Sequence, residues 1–428
     1  MRTFASIKLK LIMNRIHILL VIGIVFFFQQ FANGQSNQNI QFLQNVGALD
    51  SIYSKSLKEY RKFYVQVPAN YNANRNEKYP VVFILDGEVL LPTVNNVQNF
   101  YSGGFTPEMV LVGISNDKNR LRDLTTSTIT TNYGMPFNQE NGKADSFSKF
   151  IEIELIPHIE NKYPISNFRT LIGHSYGGLF AVYSLIHHPE LFSNYIAIDP
   201  SLDWDSQKLL KEAQDILSSN DYNGKSLFMS LGGQLHWQDS NITIDNVMQD
   251  TSDFTIFPRS NIAFSDVVKQ NNKNGLFFDW KFYPKDLHGT IAFPSIMDSL
   301  ISVFQWYQME NTDKINSFDT PKEELFGIIK YREKKLQTHF GYSEPPYPEE
   351  LLNMSGYMNM DMGQMEKAKM YFELTIKHYP QSVNAYDSMA DYYEKKGDNI
   401  NAIKFVAKAF ELSNDDYYKQ RIEALKKK

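Results

Sequence analysis

One short run carries most of the chemistry in this chain: Gly173-His174-Ser175-Tyr176-Gly177-Gly178. It follows the apolar triplet Thr170-Leu171-Ile172 and precedes Leu179-Phe180-Ala181-Val182-Tyr183-Ser184-Leu185, which reads as a helix. A strand that turns into a helix this abruptly leaves little space for side chains at the glycine positions and displays the serine hydroxyl on a strained turn. The start of the new helix also points backbone N–H groups at any oxyanion formed nearby. The chemistry implied is nucleophilic attack by Ser175.

A serine hydroxyl at its free pKa is a poor nucleophile, so a base must take its proton. The run Phe277–Tyr283 reads as the last strand and leads through Pro284-Lys285-Asp286-Leu287 to His288, where the base of an elbow-type hydrolase belongs. His174 lies inside the elbow, facing away from a substrate, as a packed or hydrogen-bonded residue. His187 and His188 close the helix after the elbow, where a cation suits the helix dipole, and His339 and His378 fall beyond the catalytic region.

An acid that orients His288 and stabilises its imidazolium is expected after the strand Leu227–Leu231. The first carboxylate there is Asp239, with Asp245, Asp250 and Asp253 as alternatives on the same loop. A Ser-His dyad oriented by a carbonyl or water is the other option. The oxyanion hole is expected to combine the N–H of Tyr176 with that of Gly87 or Glu88, which follow the strand-like run Val81–Leu85 and Asp86.

The elements that must hold these groups follow an α/β rhythm. Between Phe63 and Phe304, short β-branched and aromatic runs alternate with helical patterns, the signature of a mainly parallel sheet covered on both faces. Expected strands are Phe63–Val67, Val81–Leu85, Val110–Ile114, Thr170–Ile172, Tyr195–Ile198, Leu227–Leu231 and Phe277–Tyr283. Several are apolar throughout, as strands buried on both faces are. Phe147, Phe150, Ile151, Leu155 and Ile159 fall at helical spacing behind the candidate caps Asp145 and Ser146.

Beyond Gln308 the strand signals stop. After a proline-rich break at Gly341–Pro348, a shift of 34 residues lays Gly363 over Gly397, Ala368 over Ala402, Tyr371 over Phe405 and Gly356 over Ala390. That period resembles the tetratricopeptide helix-turn-helix repeat. Two copies are fewer than the three or so that stand alone, so the helix Pro321–Leu336 is expected to cap them, or the repeats to lean on the catalytic region. A protein partner in a repeat groove is the functional reading, and a structural extension the other.

At the N-terminus, Arg2, Lys8, Lys10 and Arg15 precede an apolar run from Ile16 to Phe28 and the small-residue site Ala32-Asn33-Gly34. This predicts a signal peptide over 1–34, or one starting at Met13, and an exported protein beginning at Gln35. The run is shorter than the roughly 20 residues a membrane span needs, so no membrane span is expected after cleavage. The predicted division is then a catalytic domain over 35–310, a helical linker over 311–348 and repeats over 349–428. The absence of cysteine excludes disulfides, thiolate metal sites and a cysteine nucleophile. A net charge of −5 gives no footprint for nucleic acid, and no metal-ligand spacing of the His-Glu-x-x-His kind is present.

Taken with Leu85-Asp86-Gly87, Asp199-Pro200-Ser201-Leu202-Asp203-Trp204 and Tyr283–Gly289, the elbow makes residues 50–310 resemble the Putative esterase family. That family includes enterochelin and bacillibactin esterases, S-formylglutathione hydrolases and feruloyl esterases. Arg122-Asp123-Leu124-Thr125 is similar to a segment of its siderophore-esterase branch, whereas Gln234 and Leu235 stand where that branch often has a glutamate. The resemblance implies an α/β-hydrolase fold, carboxylic-ester hydrolysis through an acyl-enzyme, no cofactor, and small-molecule or glycan ester substrates such as siderophore lactones or acyl and feruloyl groups. Trp204, Trp237 and Tyr176 are candidates to line an acyl or aromatic pocket. The rival readings are an acyltransferase on the same fold and a non-catalytic scaffold working through the repeats.

Overall fold

The computed structural model describes residues 47–427 except 70, 74–77, 103, 133 and 272, so the expected signal peptide lies outside the described residues. An antiparallel hairpin comes first, β1 (Ala48–Ser54) and β2 (Glu59–Gln66). Then come β3 (Tyr79–Ile84), α1 (Gly87–Tyr101), β4 (Val110–Ile114), α2 (Arg120–Leu124) and the short pair β5 (Thr131–Asn132) and β6 (Met135–Pro136). Helix α3 (Ala144–Phe150) continues through a π-helical stretch, Ile151–Leu155, into α4 (Ile156–Lys162). The elbow region is β7 (Ile165–His174) and α5 (Tyr176–His187), followed by β8 (Asn194–Ile198), α6 (Trp204–Ser219), β9 (Ser226–Gly232), α7 (Ile256–Gln270), β10 (Phe277–Tyr283) and α8 (Ala292–Val303).

Eight of these strands form one sheet in the order β1-β2-β4-β3-β7-β8-β9-β10, antiparallel at the β1-β2-β4 edge and parallel from β4 onward. This is the expected helix-flanked sheet. Alternation along β3 shows why it is buried on both sides: Val81 and Phe83 join one apolar cluster with Phe147, Phe180 and Leu185, while Val82 and Ile84 join another with Leu91, Val94 and Leu300.

The strand predicted from Phe63 begins earlier, at Glu59, and β1 was not expected. An edge strand with exposed Leu49 and Tyr53 carries a weak apolar signal. Phe147, Phe150, Ile151, Leu155 and Ile159 are fully buried as predicted, but Asp145 and Ser146 are not caps. The helix starts at Ala144 behind Lys143 with no side-chain cap, and Asp145 pairs with Lys149 at 2.8 Å instead.

The C-terminal part is all helix: α9 (Thr312–Ile315), α10 (Lys322–Phe340), α11 (Glu349–Asp361), α12 (Met365–His378), α13 (Val383–Lys395), α14 (Asn399–Ser413) and α15 (Asp416–Leu425). The pairs α11–α12 and α13–α14 are the two 34-residue copies. A Cβ on Gly356 would sit 2.4 Å from the Phe372 ring, which explains a glycine where the second copy has buried Ala390.

Helix α10 packs against the repeats, as a cap would, and also against the catalytic region. Its Leu325 and Ile329 pack with Tyr347 of the proline-rich break and with Leu352 and Leu374 of the repeats, while Leu336 and Phe340 join the sheet's core beside Phe168 and Phe304. Between them the buried Arg332 donates to the carbonyls of Pro346 at 2.6 Å and Gln308 at 3.1 Å. Phe168 stands near the start of β7, so the repeats attach roughly 20 Å from the strand end that carries Ser175. Among the described residues no helix is long and apolar enough to cross a membrane.

Candidate active site

Ser175 has φ 61° and ψ −116°, a strained positive-φ conformation of the kind an elbow imposes. Such a backbone costs about 1–2 kcal/mol and persists only where its surroundings fix it. The Ser175 N–H donates to the Ile198 carbonyl at 2.9 Å, and the Ser175 carbonyl accepts from Leu179 and Ser201 N–H groups at 2.9 and 3.1 Å. The glycines are unequal. A Cβ on Gly173 would fall 2.1 Å from the Gly177 carbonyl oxygen and one on Gly178 3.0 Å from Pro200, whereas one on Gly177 would meet nothing closer than 3.5 Å.

His288, on the turn after β10, lines the same cavity as Ser175. Its Nδ1 lies 2.6 Å from Oδ2 of Asp199. The Asp199 carboxylate is almost fully buried, and its Oδ1 accepts the Gly232 N–H at 2.9 Å. It therefore presents one oxygen to His288 and fixes the Nδ1–H tautomer, leaving Nε2 as the basic nitrogen. Phe257 meets the imidazole edge-on at 5.4 Å. In this state the Ser175 hydroxyl hydrogen-bonds to the Ser201 hydroxyl at 3.3 Å.

The carboxylate that meets His288 is thus Asp199, not the expected Asp239. The Asp239 carboxylate instead accepts the N–H and side-chain amide of Asn241, both at 2.9 Å, in an exposed local turn. Asp250 accepts from Ser252 and Thr255, Asp245 is exposed, and Asp253 lines the cavity without bonding to His288. The reason is sheet order. Strand β8 lies between β7 and β9, so a carboxylate that ends β8 is already beside the elbow, and Asp199 bends toward His288 with φ 44°. The signal was a carboxylate directly after the buried strand Tyr195–Ile198.

Tyr176, the other expected oxyanion donor, opens helix α5 and lines the cavity, so its N–H precedes the helix's own hydrogen-bond ladder. Gly87 does not line it. That residue is packed on β4, where a Cβ would lie 2.4 Å from the Gly113 carbonyl carbon, and Glu88 is exposed. The loop supports the elbow from behind: Asp86 accepts from Arg120 Nε at 2.8 Å, and Arg120 donates to the His174 carbonyl at 3.0 Å and lies over the Tyr176 ring.

His174 is engaged as expected, with the acceptor now identified: its Nε2 donates to the His288 carbonyl at 2.8 Å, and the two rings lie 4.7 Å apart. Burial, reinforced by His288, pushes its pKa down to about 4, so it remains neutral near pH 7.

The cavity has a volume of about 540 Å³, and Trp204, Trp237 and Tyr176 all line it. Trp204 is anchored by its Nε1 donating to the Ser127 carbonyl at 3.0 Å and stands edge-on to Tyr176 at 5.6 Å. Three consecutive left-handed residues, Asp205, Ser206 and Gln207, follow it. They are held by Ser127 Oγ on Asp205 at 2.6 Å and by Gln207 on Ser260 at 2.7 Å. A serine on a strained backbone, an imidazole oriented by a buried carboxylate and a helix N-terminus share one cleft, an arrangement able to perform acyl transfer.

Residues 54–257 match the family model described as Putative esterase, and residues 349–381 and 383–416 match the tetratricopeptide repeat. The chain is 31% identical over 190 residues to ferri-bacillibactin esterase BesA of Bacillus subtilis, covering 40% of this chain and 65% of that protein. It is 33% identical over 150 residues to the siderophore triacetylfusarinine C esterase of Aspergillus fumigatus, covering 32% of this chain and 48% of that one. Each match thus spans less than two thirds of the relative. An IroE-like serine hydrolase from Shewanella oneidensis superposes with a TM-score of 0.62 at 27% identity, covering 77% of this chain and 98% of that one.

Proposed function

Since residues 54–257 belong to the Putative esterase family and tetratricopeptide repeats follow them, we propose that the chain hydrolyses carboxylic esters through an acyl-enzyme on Ser175. The observation that carries this reading is the 2.6 Å bond from His288 to the buried Asp199 in the cavity that Ser175 lines.

In the proposed reaction the Ser175–Ser201 hydroxyl contact gives way as substrate enters, and Nε2 of His288 takes the Ser175 proton while Oγ attacks the ester carbonyl. Negative charge collects on the carbonyl oxygen beside the Tyr176 N–H, and Asp199 stabilises the imidazolium without taking its proton. His288 then protonates the departing alcohol, and the C–O bond breaks. Water, deprotonated by the same nitrogen, cleaves the acyl-enzyme and restores Ser175.

The names of the two curated relatives point to siderophore lactones as one substrate class, and acyl or feruloyl groups on glycans are the other. The basic and apolar pattern of residues 1–34 supports action outside the cytoplasm, and the repeats offer a surface for a protein partner. The test is labelling by a fluorophosphonate together with turnover of p-nitrophenyl esters, a feruloyl ester and a catecholate lactone. Wild type should label and turn over at least one ester, and Ser175→Ala should do neither. Wild-type protein that takes no label and cleaves none of them ends the esterase reading.

A further inference from the structure

The cavity wall has a sign. Asp203, on the loop after β8, and Asp253, on the segment before α7, both line the cavity, and among the described lining residues none is lysine or arginine. Arginines on adjoining elements are turned to other partners. Arg120 is held by Asp86 and the His174 carbonyl. Arg259, two residues beyond Phe257, is held by Thr255 Oγ1 and the Ser252 carbonyl.

Much of the rest of the lining is aromatic. Trp204 and Tyr176 form a fixed inner corner, and Trp237 and Phe254 stand largely exposed.

A cleft lined by charge of one sign concentrates ligands of the other, and indole faces attract cations through their quadrupole. Resting on the ester-hydrolase reading, we propose that this cavity selects esters by charge: ammonium-bearing substrates are taken ahead of neutral ones and anionic ones are rejected, with Asp253 as the residue that sets the order. A ferric catecholate complex is strongly anionic and is the wrong sign for this wall.

The experiment uses three thioesters with one acyl group and thiol leaving groups of similar size: a trimethylammonium thiol, its neutral tert-butyl counterpart and a carboxylate-bearing thiol. Released thiol is read with a chromogenic disulfide, and a protein without cysteine gives no background. The expected order of kcat/KM is cationic, neutral, anionic. The cation-to-anion ratio should be on the order of tenfold or more at low salt and should shrink as salt screens the wall.

Asp253→Asn should lower that ratio, and Asp253→Lys should invert it. Because the ratio is taken within each variant, a general loss of activity cancels. Asp245→Asn, exposed and outside the cavity, should leave it alone. Equal kcat/KM for the three thioesters, or an unchanged order in Asp253→Lys, overturns the proposal and leaves the esterase reading intact. No turnover of the neutral thioester and no labelling of Ser175 mean that the esterase reading has failed, and this proposal with it.

Discussion

His288 Nδ1 lies 2.6 Å from Asp199 Oδ2, and Asp199 ends β8, the strand directly beside the one that carries the elbow. In the proposed triad the chain order serine, acid, histidine is preserved, with the acid one strand earlier than expected. Replacing Asp199 with asparagine keeps the shape but lets the amide donate to Nδ1, which favours the wrong imidazole tautomer. Asp199→Asn should lower kcat on a p-nitrophenyl ester by about 10³–10⁴-fold. Asp239→Asn should stay within about twofold of wild type, its carboxylate holding only the Asn241 turn. The reverse result would return the acid to the β9 loop.

The elbow glycines make a second prediction. Gly173→Ala places a methyl 2.1 Å from the Gly177 carbonyl oxygen, a backbone atom, whereas Gly177→Ala adds one whose nearest contact is 3.5 Å away. Gly173→Ala should abolish fluorophosphonate labelling or soluble expression. Gly177→Ala should fold and retain label, with a change in stability below about 1 kcal/mol. Equal tolerance of the two would mean that the strand and helix are not this close.

Which parts of the site could be read from residues alone follows from these geometries. That Ser175 and His288 come to one cavity was legible because each is tied to a local pattern: strand-turn-helix for one, the loop after the last strand for the other. Asp199 stands in an equally local pattern, but its pairing depends on which strands are neighbours, and the order β7-β8-β9 is a property of the sheet. A glycine after a strand fits both an oxyanion loop and a close backbone approach, and what the structure shows of Gly87 is the approach to Gly113. The 34-residue repeat was legible because period and small residues coincide, whereas the dual role of α10 depends on how it packs.

His174 gives a prediction with a pH sign. Its pKa in the fold is about 4, mainly through burial and then through His288, against an ordinary value of 6.5. Between those values the unfolded chain binds the proton and the folded one does not. Stability is therefore fully present above about pH 6.5 and is lost as pH falls toward 4. His339 and His378, also lowered mainly by burial, act in the same direction. Urea unfolding at pH 7 and pH 5 should differ by about 1–2 kcal/mol more in wild type than in His174→Gln. His174→Gln can still donate to the His288 carbonyl, so it should keep more activity than His174→Ala. An identical pH dependence in wild type and variant would remove His174 from this account.

The repeats attach at the end of the sheet remote from Ser175, which separates stability from catalysis. Phe340, at the end of α10, meets Phe168 at 5.1 Å and Trp306 at 5.0 Å, and truncating a buried phenylalanine costs about 3–5 kcal/mol. In the folded protein Ser175 is roughly 20 Å away along β7, beyond the reach of a local collapse around the missing ring. Phe340→Ala should therefore lower the unfolding midpoint strongly while kcat/KM per labelled active site stays within about twofold of wild type. Gly356→Ala, which pushes a methyl into the Phe372 ring, should destabilise the repeats by about 1–3 kcal/mol with the same catalytic indifference. A fall in kcat/KM that tracks either loss of stability would mean that the helical region acts on the cavity.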